Sequence, residues 1–134
     1  MDRSLFSEGV HVLTIHRQIE VTVLENVVVV RFLNRKIIDA ANIQELGEEL
    51  FSLVESEKHT ALILTFRSVE FLSSAALNKL IMLDKKLKEC KGKLRLCEMR
   101  SDIREVFDKY LSGLFVIREN VQIALCDFAS AVSP

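Results

Sequence analysis

The chain has 134 residues, with 18 basic and 19 acidic side chains and 49% apolar residues. That length and composition predict one domain over 1–134, with its core at about 19–128, large enough to bury a hydrophobic interior without staples. The near balance of charge excludes the basic stripe of a nucleic-acid binder and a polybasic membrane anchor. No stretch approaches the roughly 20 apolar residues that span a bilayer. The opening Met1-Asp2-Arg3-Ser4 lacks a signal-peptide core, so a cytoplasmic location is expected. Cys90, Cys97 and Cys126 fit a reducing compartment and match no zinc spacing.

Residues through about His16 show no clear pattern and are a candidate for an extra edge strand. Ile19–Leu24 and Val27–Leu33 are β-branched and apolar, with Glu25-Asn26 as a tight turn between them, which predicts a hairpin. From Asp39 the period becomes helical. Ile43, Leu46, Leu50, Phe51 and Val54 share one face and Glu45, Glu48 and Glu49 another, and Asp39 is placed to cap the first turn. Ala61–Phe66 is short and almost wholly apolar, as a strand buried on both faces reads.

Ser73 and Ser74 precede a helix that runs to about Cys90. Leu77, Leu80, Leu83 or Asp84, and Leu87 face inward, lysines near its end suit the dipole, and Gly92 supplies the stop. Lys93–Met99 alternates as a strand. Ser101 or Asp102 then caps a short helix with Ile103, Val106, Phe107 and Tyr110 on one side, ended by Gly113. Leu114–Ile117 reads as a strand, and Val121, Ala124, Leu125 and Phe128 as one face of a last helix, with Cys126 packed beside it. The order β-β-α-β-α-β-α-β-α predicts an α/β fold. Its sheet is mixed but mostly parallel, with five or six strands packed against about four helices.

Enzymatic constellations are sparse. The four glycines, Gly9, Gly47, Gly92 and Gly113, are scattered and form no phosphate loop. His11 and His16, five apart in an extended segment, would fall on opposite faces, so neither a metal nor a cofactor is expected. Cys97 reads as a small buried hydrophobe. The informative stretch is Phe71-Leu72-Ser73-Ser74-Ala75-Ala76-Leu77, between the most buried strand and a helix. A helix start exposes unpaired amides and a partial positive charge. A serine there caps the helix, as serines commonly do. It can also accept a phosphate, which adds about −1.5 to −2 charge in a favourable field. One serine can cap while the other faces solvent.

On these stretches the sequence resembles the STAS family of bacterial anti-sigma-factor antagonists, over roughly Ile19 to Phe128. Val27–Asp39 is similar to the family's strand, loop and Leu-Asp lead into the first helix, here Ile38-Asp39. Ala61–Leu77 is similar to the buried strand followed by Asp-Ser-Ser-Gly or Asp-Ser-Thr-Gly. Lys93–Ile117 resembles the strand, short helix and Gly-Leu-Phe-x-Ile ending, here Gly113-Leu114-Phe115-Val116-Ile117. The motif aspartate falls on Ser73, the phosphorylated serine on Ser74, the second hydroxyl on Ala75 and the glycine on Ala76; Asp39 matches the family's loop aspartate.

The resemblance implies a non-enzymatic STAS-like module that binds an anti-sigma factor acting also as a serine kinase. Phosphorylation at Ser74 would break that complex. The implied partner face comprises Asp39, Ser73, Ser74, Ala75 and Asn78. The alternative is a constitutive scaffold or accessory subunit, stressosome-like or lipid-transport-like, without a phosphorylation cycle. A homodimer through the N-terminal strand or an exposed helix is left open.

Overall fold

The computed structural model describes residues 16–132, and side chains through 128. The suggested extra strand before His16 lies outside them. The hairpin is β1 (Ile19–Leu24) and β2 (Val27–Phe32). A two-residue strand β3 (Lys36–Ile37) leads to α1 (Ala40–Glu55) and then to β4 (Ala61–Thr65). A second two-residue strand, β5 (Phe71–Leu72), leads to α2 (Ser74–Glu89). β6 (Lys93–Cys97), α3 (Ser101–Tyr110), β7 (Val116–Arg118) and α4 (Val121–Val132) complete the order.

The main sheet has five strands in the order β1-β2-β4-β6-β7. β1 pairs antiparallel with β2, and every other neighbour in that sheet is parallel. Glu25 turns the hairpin with φ 58°, the left-handed geometry that matches strand twist in a two-residue loop. β3 and β5 form a separate parallel pair beyond the sheet. The expected α/β architecture with four helices is therefore present, with this small pair added.

Alternation along the central strands divides the core in two. Val28, Val30, Phe32, Leu62, Leu64, Leu94 and Leu96 face a large cluster filled by Ile43, Leu46, Leu50, Leu80, Leu83, Ile103 and Phe107 of α1, α2 and α3. Val27, Ile63 and Cys97 face the other way, against Ala124 and Phe128 of α4. Phe66 sits fully buried where β4 ends, its ring 4.8 Å from Phe32 and 5.9 Å from Phe107, and Phe107 reaches Phe115 at 5.6 Å. These tilted and edge-on contacts tie the hairpin, the central strand and α3 together.

On the second face, Asp127 of α4 accepts from Arg95 of β6 at 2.8 Å and from Arg118 of β7 at 2.8 Å. The Arg118 guanidinium holds the Asp127 carboxyl below its ordinary value, with Arg95 assisting against partial desolvation. Burial, and the nearby Glu98 carboxylate, push the Cys97 thiol up to about 12, so it stays protonated and inert at neutral pH.

Several expectations are corrected. The last strand is Val116–Arg118 instead of Leu114–Ile117, because residues 112–114 are spent in the turn at Gly113, with φ 80°. The α3 cap position is Arg100, with no side-chain cap bond, and Ser101 and Asp102 are already helical. Tyr110 points to solvent and Cys126 is exposed. The α2 stop uses Lys91 in the left-handed region at φ 62°, not Gly92. Gly92 is needed for a different reason: a Cβ there would lie 2.6 Å from the Thr60 carbonyl oxygen.

Two outcomes follow from this packing. Phe66→Ala should destabilise the fold by about 3–5 kcal/mol, read by urea denaturation; a loss under about 1 kcal/mol would mean that the aromatic ladder is dispensable. Asp127→Asn should also destabilise the protein near pH 7. A depressed carboxylate contributes above its unfolded pKa of about 3.9 and loses that contribution as pH falls through the folded value. The stability gap between wild type and Asp127→Asn should therefore shrink below about pH 4; a constant gap would contradict the ion-pair assignment.

Candidate functional site

The small β3–β5 pair sets the site. Lys36 is opposite Phe71 and Ile37 opposite Leu72, and the Ser73 amide donates to the Ile37 carbonyl at 3.1 Å. α1 begins three residues after Ile37 and α2 two residues after Leu72. Both helix N-termini are thereby brought to one end of the molecule, at the C-terminal end of β4. Side by side, they present two sets of unpaired amides and two partial positive charges.

Each start is capped by its own residue. Asp39, with extended backbone, accepts from the Asn42 amide at 3.0 Å. Ser73, also extended, accepts from the Ala76 amide at 3.3 Å. Ser73 is half-buried in this role. Ser74 is the first helical residue and is exposed, and among the described residues nothing hydrogen-bonds its hydroxyl. The two serines thus divide the tasks of capping and facing solvent. Ala75 and Asn78 are exposed on the same stretch of α2, and Asn78 donates weakly to Met82 Sδ at 3.8 Å. Ala76 is buried.

The sequence reading missed the apolar part of this surface. Ile38 is 56% exposed and Phe71 51% exposed, with the Lys36 ammonium 5.5 Å from the Phe71 ring centroid. Leu33, at the end of the hairpin, is also exposed. The available signal was that Ile38, directly before the Asp39 cap, and Phe71, two residues before the Ser73 cap, are large apolar residues outside any helical or strand period. Arg35 pairs with Glu70 at 3.2 Å and supports the loop.

Gln18 anchors the other side. Its side chain donates to Glu45 at 2.9 Å and accepts from Asn34, while Glu49 accepts from the Gln18 amide at 3.0 Å and the Arg17 amide at 2.7 Å. That network ties α1 to the loop carrying Asn34 and Arg35. Among the described residues no three metal-ligating side chains come together. No helix there is long and apolar enough to cross a membrane. What the described surface offers is exposed apolar side chains beside two capped helix starts and a solvent-facing hydroxyl.

The division of roles has a measurable consequence. Ser73→Ala should cost about 1 kcal/mol of stability through the lost cap, whereas Ser74→Ala should fall within about 0.5 kcal/mol of wild type. Equal losses in chemical denaturation would refute it.

Comparison with known proteins identifies the family and the fold. A sequence profile of the STAS domain matches residues 18–126. The chain is 28% identical over 99 residues to a Bordetella bronchiseptica protein named as an anti-sigma factor antagonist, BtrV, spanning 72% of this chain and 83% of that one. The crystal structure of an anti-sigma factor antagonist from Thermotoga maritima superposes with a TM-score of 0.73 at 16% identity, covering 84% of this chain and 95% of that one. The phosphorylated form of the Bacillus cell fate determinant SpoIIAA superposes with a TM-score of 0.65 at 16% identity, covering 83% and 98%. At such identities the structures speak to fold alone. The profile match over most of the length, on a fold of this topology, establishes that the chain belongs to the STAS domain family.

Proposed function

We propose that this chain is a non-enzymatic, cytoplasmic regulatory module. In this reading, residues 1–134 act as one domain that antagonises an anti-sigma factor of the serine-kinase type and is switched by phosphorylation at Ser74. The observation that carries the reading is the state of Ser74. Its hydroxyl is exposed and unengaged at the first position of α2, beside the α1 start capped by Asp39. The name of the Bordetella relative and the phosphorylated state of the SpoIIAA structure support the same direction.

The docking face consists of Asp39, Ser73, Ser74, Ala75 and Asn78, together with exposed Ile38 and Phe71. Burying the two large apolar side chains would supply most of the affinity, as anchors of this kind do in protein interfaces. A phosphate on Ser74 would then oppose docking by desolvation and by repulsion from acidic groups on the partner. It would not disrupt the domain, because a dianion at a helix N-terminus sits in a favourable field. The switch therefore acts on the complex and not on the fold.

One observation favours a second reading, a constitutive scaffold: Ser73 caps α2 without the negative charge that an aspartate would place beside the acceptor. Intact-mass measurement on protein from its host separates the two. Phosphate on Ser74 under some growth condition supports the switch, and its absence under all of them supports the scaffold.

Ser74→Glu should weaken binding to the anti-sigma partner by at least tenfold while leaving the melting temperature unchanged or slightly raised. Ser74→Ala should bind like wild type and accept no phosphate. Titration calorimetry in which Ser74→Glu and Ser74→Ala bind equally would overturn the switch.

A further inference from the structure

A second site lies at the other end of the sheet from Ser74, where the parallel strands begin. α4 packs on β2, β4, β6 and β7. Between it and the β1–β2 hairpin runs an open groove of about 630 Å³, within the range of small-molecule sites. Val27 and Ala61 belong to the apolar cluster under α4, Leu125 and Phe128 line the groove from the helix, and Val23 and Leu24, each 41% exposed, line it from the hairpin. Lys91 and Lys93, from the turn after α2 and the start of β6, complete the lining. Neither lysine has an ion-pair partner among the described residues. Glu25, at the hairpin turn, is the acidic residue of the lining, so cations outnumber anions there by two to one.

We propose that this groove binds a free fatty acid. The hydrocarbon chain lies along Val27, Leu125 and Phe128, and the carboxylate meets Lys91 and Lys93. The lining chooses the ligand class. An apolar trough alone would accept any hydrophobe, but two unpaired ammonium groups at its edge select a single anionic head. A cationic amphiphile would meet repulsion there, and a neutral one would leave the lysines without a new partner. The site is independent of the Ser74 surface, and neither reading requires the other.

Titration of the protein with dodecanoate below its micellar concentration, followed by amide NMR shifts and calorimetry, tests the assignment. Saturable one-to-one binding is expected, with shifts concentrated at residues 23–27, 60–61, 91–93 and 125–128. Each fully buried methylene multiplies affinity by about fourfold, so dodecanoate should bind more than tenfold tighter than octanoate. Lys91→Gln with Lys93→Gln, both exposed and unpaired, should keep the fold and weaken dodecanoate by about tenfold. Leu125→Asp should abolish binding. Dodecanol binding as tightly as dodecanoate, or unchanged affinity in the double lysine variant, would overturn the proposal. So would shifts that track self-association of the protein instead of ligand concentration.

Discussion

Four residues hold the arrangement on which the functional surface depends. The pairing of Lys36–Ile37 with Phe71–Leu72 is only two residues long, yet it fixes where two helices start. Without it, the segments after β2 and β4 would leave the sheet independently. With it, the Ser73 amide is bound to the Ile37 carbonyl, and the caps Asp39 and Ser73 follow at once on each chain. A pair this short contributes little burial of its own. It is stabilised by what lies beneath: Ile37 is buried in the main core, and Leu72 packs against it. The surface is thus supported from below by apolar packing, while Ile38, Phe71 and Ser74 stay exposed.

This geometry is compatible with the switch proposed for Ser74, because a charge added there would not endanger the fold. The amide of the first helical residue has no intrahelical acceptor, so negative charge on that side chain meets unpaired N–H groups and opposes no backbone bond. Ser74 occupies that position, and Ser73 before it makes the cap that α2 needs. The adjacent exposed pair, Ile38 and Phe71, has the opposite character: large, apolar and unsuited to water. If Ser74 is the switch proposed above, charge and apolar area within one patch would let added phosphate lower the affinity for a partner.

The sequence carried the larger architecture plainly. The hairpin and the two long helices are written in their periods, the strand Ala61–Thr65 in its shortness and apolarity, and Asp39 announced its own helix start. The misses have a common cause. β3 and β5 are two residues long, too short for any period to register, so their pairing could be seen only in three dimensions. The last strand was displaced by two residues because Leu114 and Phe115 are as apolar as Val116 and Ile117, and apolarity alone cannot say where a turn at Gly113 ends. Tyr110 and Cys126 were assigned inward, but Tyr110 ends α3 beyond the core and Cys126 lies off the Ala124–Phe128 face of α4. Ile38 and Phe71 fell in segments leading into helices, and their exposure depends on loops that local pattern does not specify. The left-handed Lys91 was hidden by its neighbour Gly92, since glycine is the residue one expects to take that conformation.

The departures from the family motif also become intelligible at the level of atoms. Where the motif has aspartate, Ser73 caps α2 through a hydroxyl, and serine and aspartate are nearly equivalent at that position. Where it has glycine, Ala76 is already the third residue of the helix and is buried, so no left-handed backbone is required of it. Alanine is better than glycine inside a helix by up to about 1 kcal/mol. Neither replacement therefore disturbs the conformation that presents Ser74. What changes is charge: the resting surface keeps Asp39 but lacks a second carboxylate beside the hydroxyl. A partner suited to this surface meets a less acidic patch with Lys36 over Phe71 at its edge. The difference between this chain and the motif is thus one of surface charge on a backbone that needs no rearrangement.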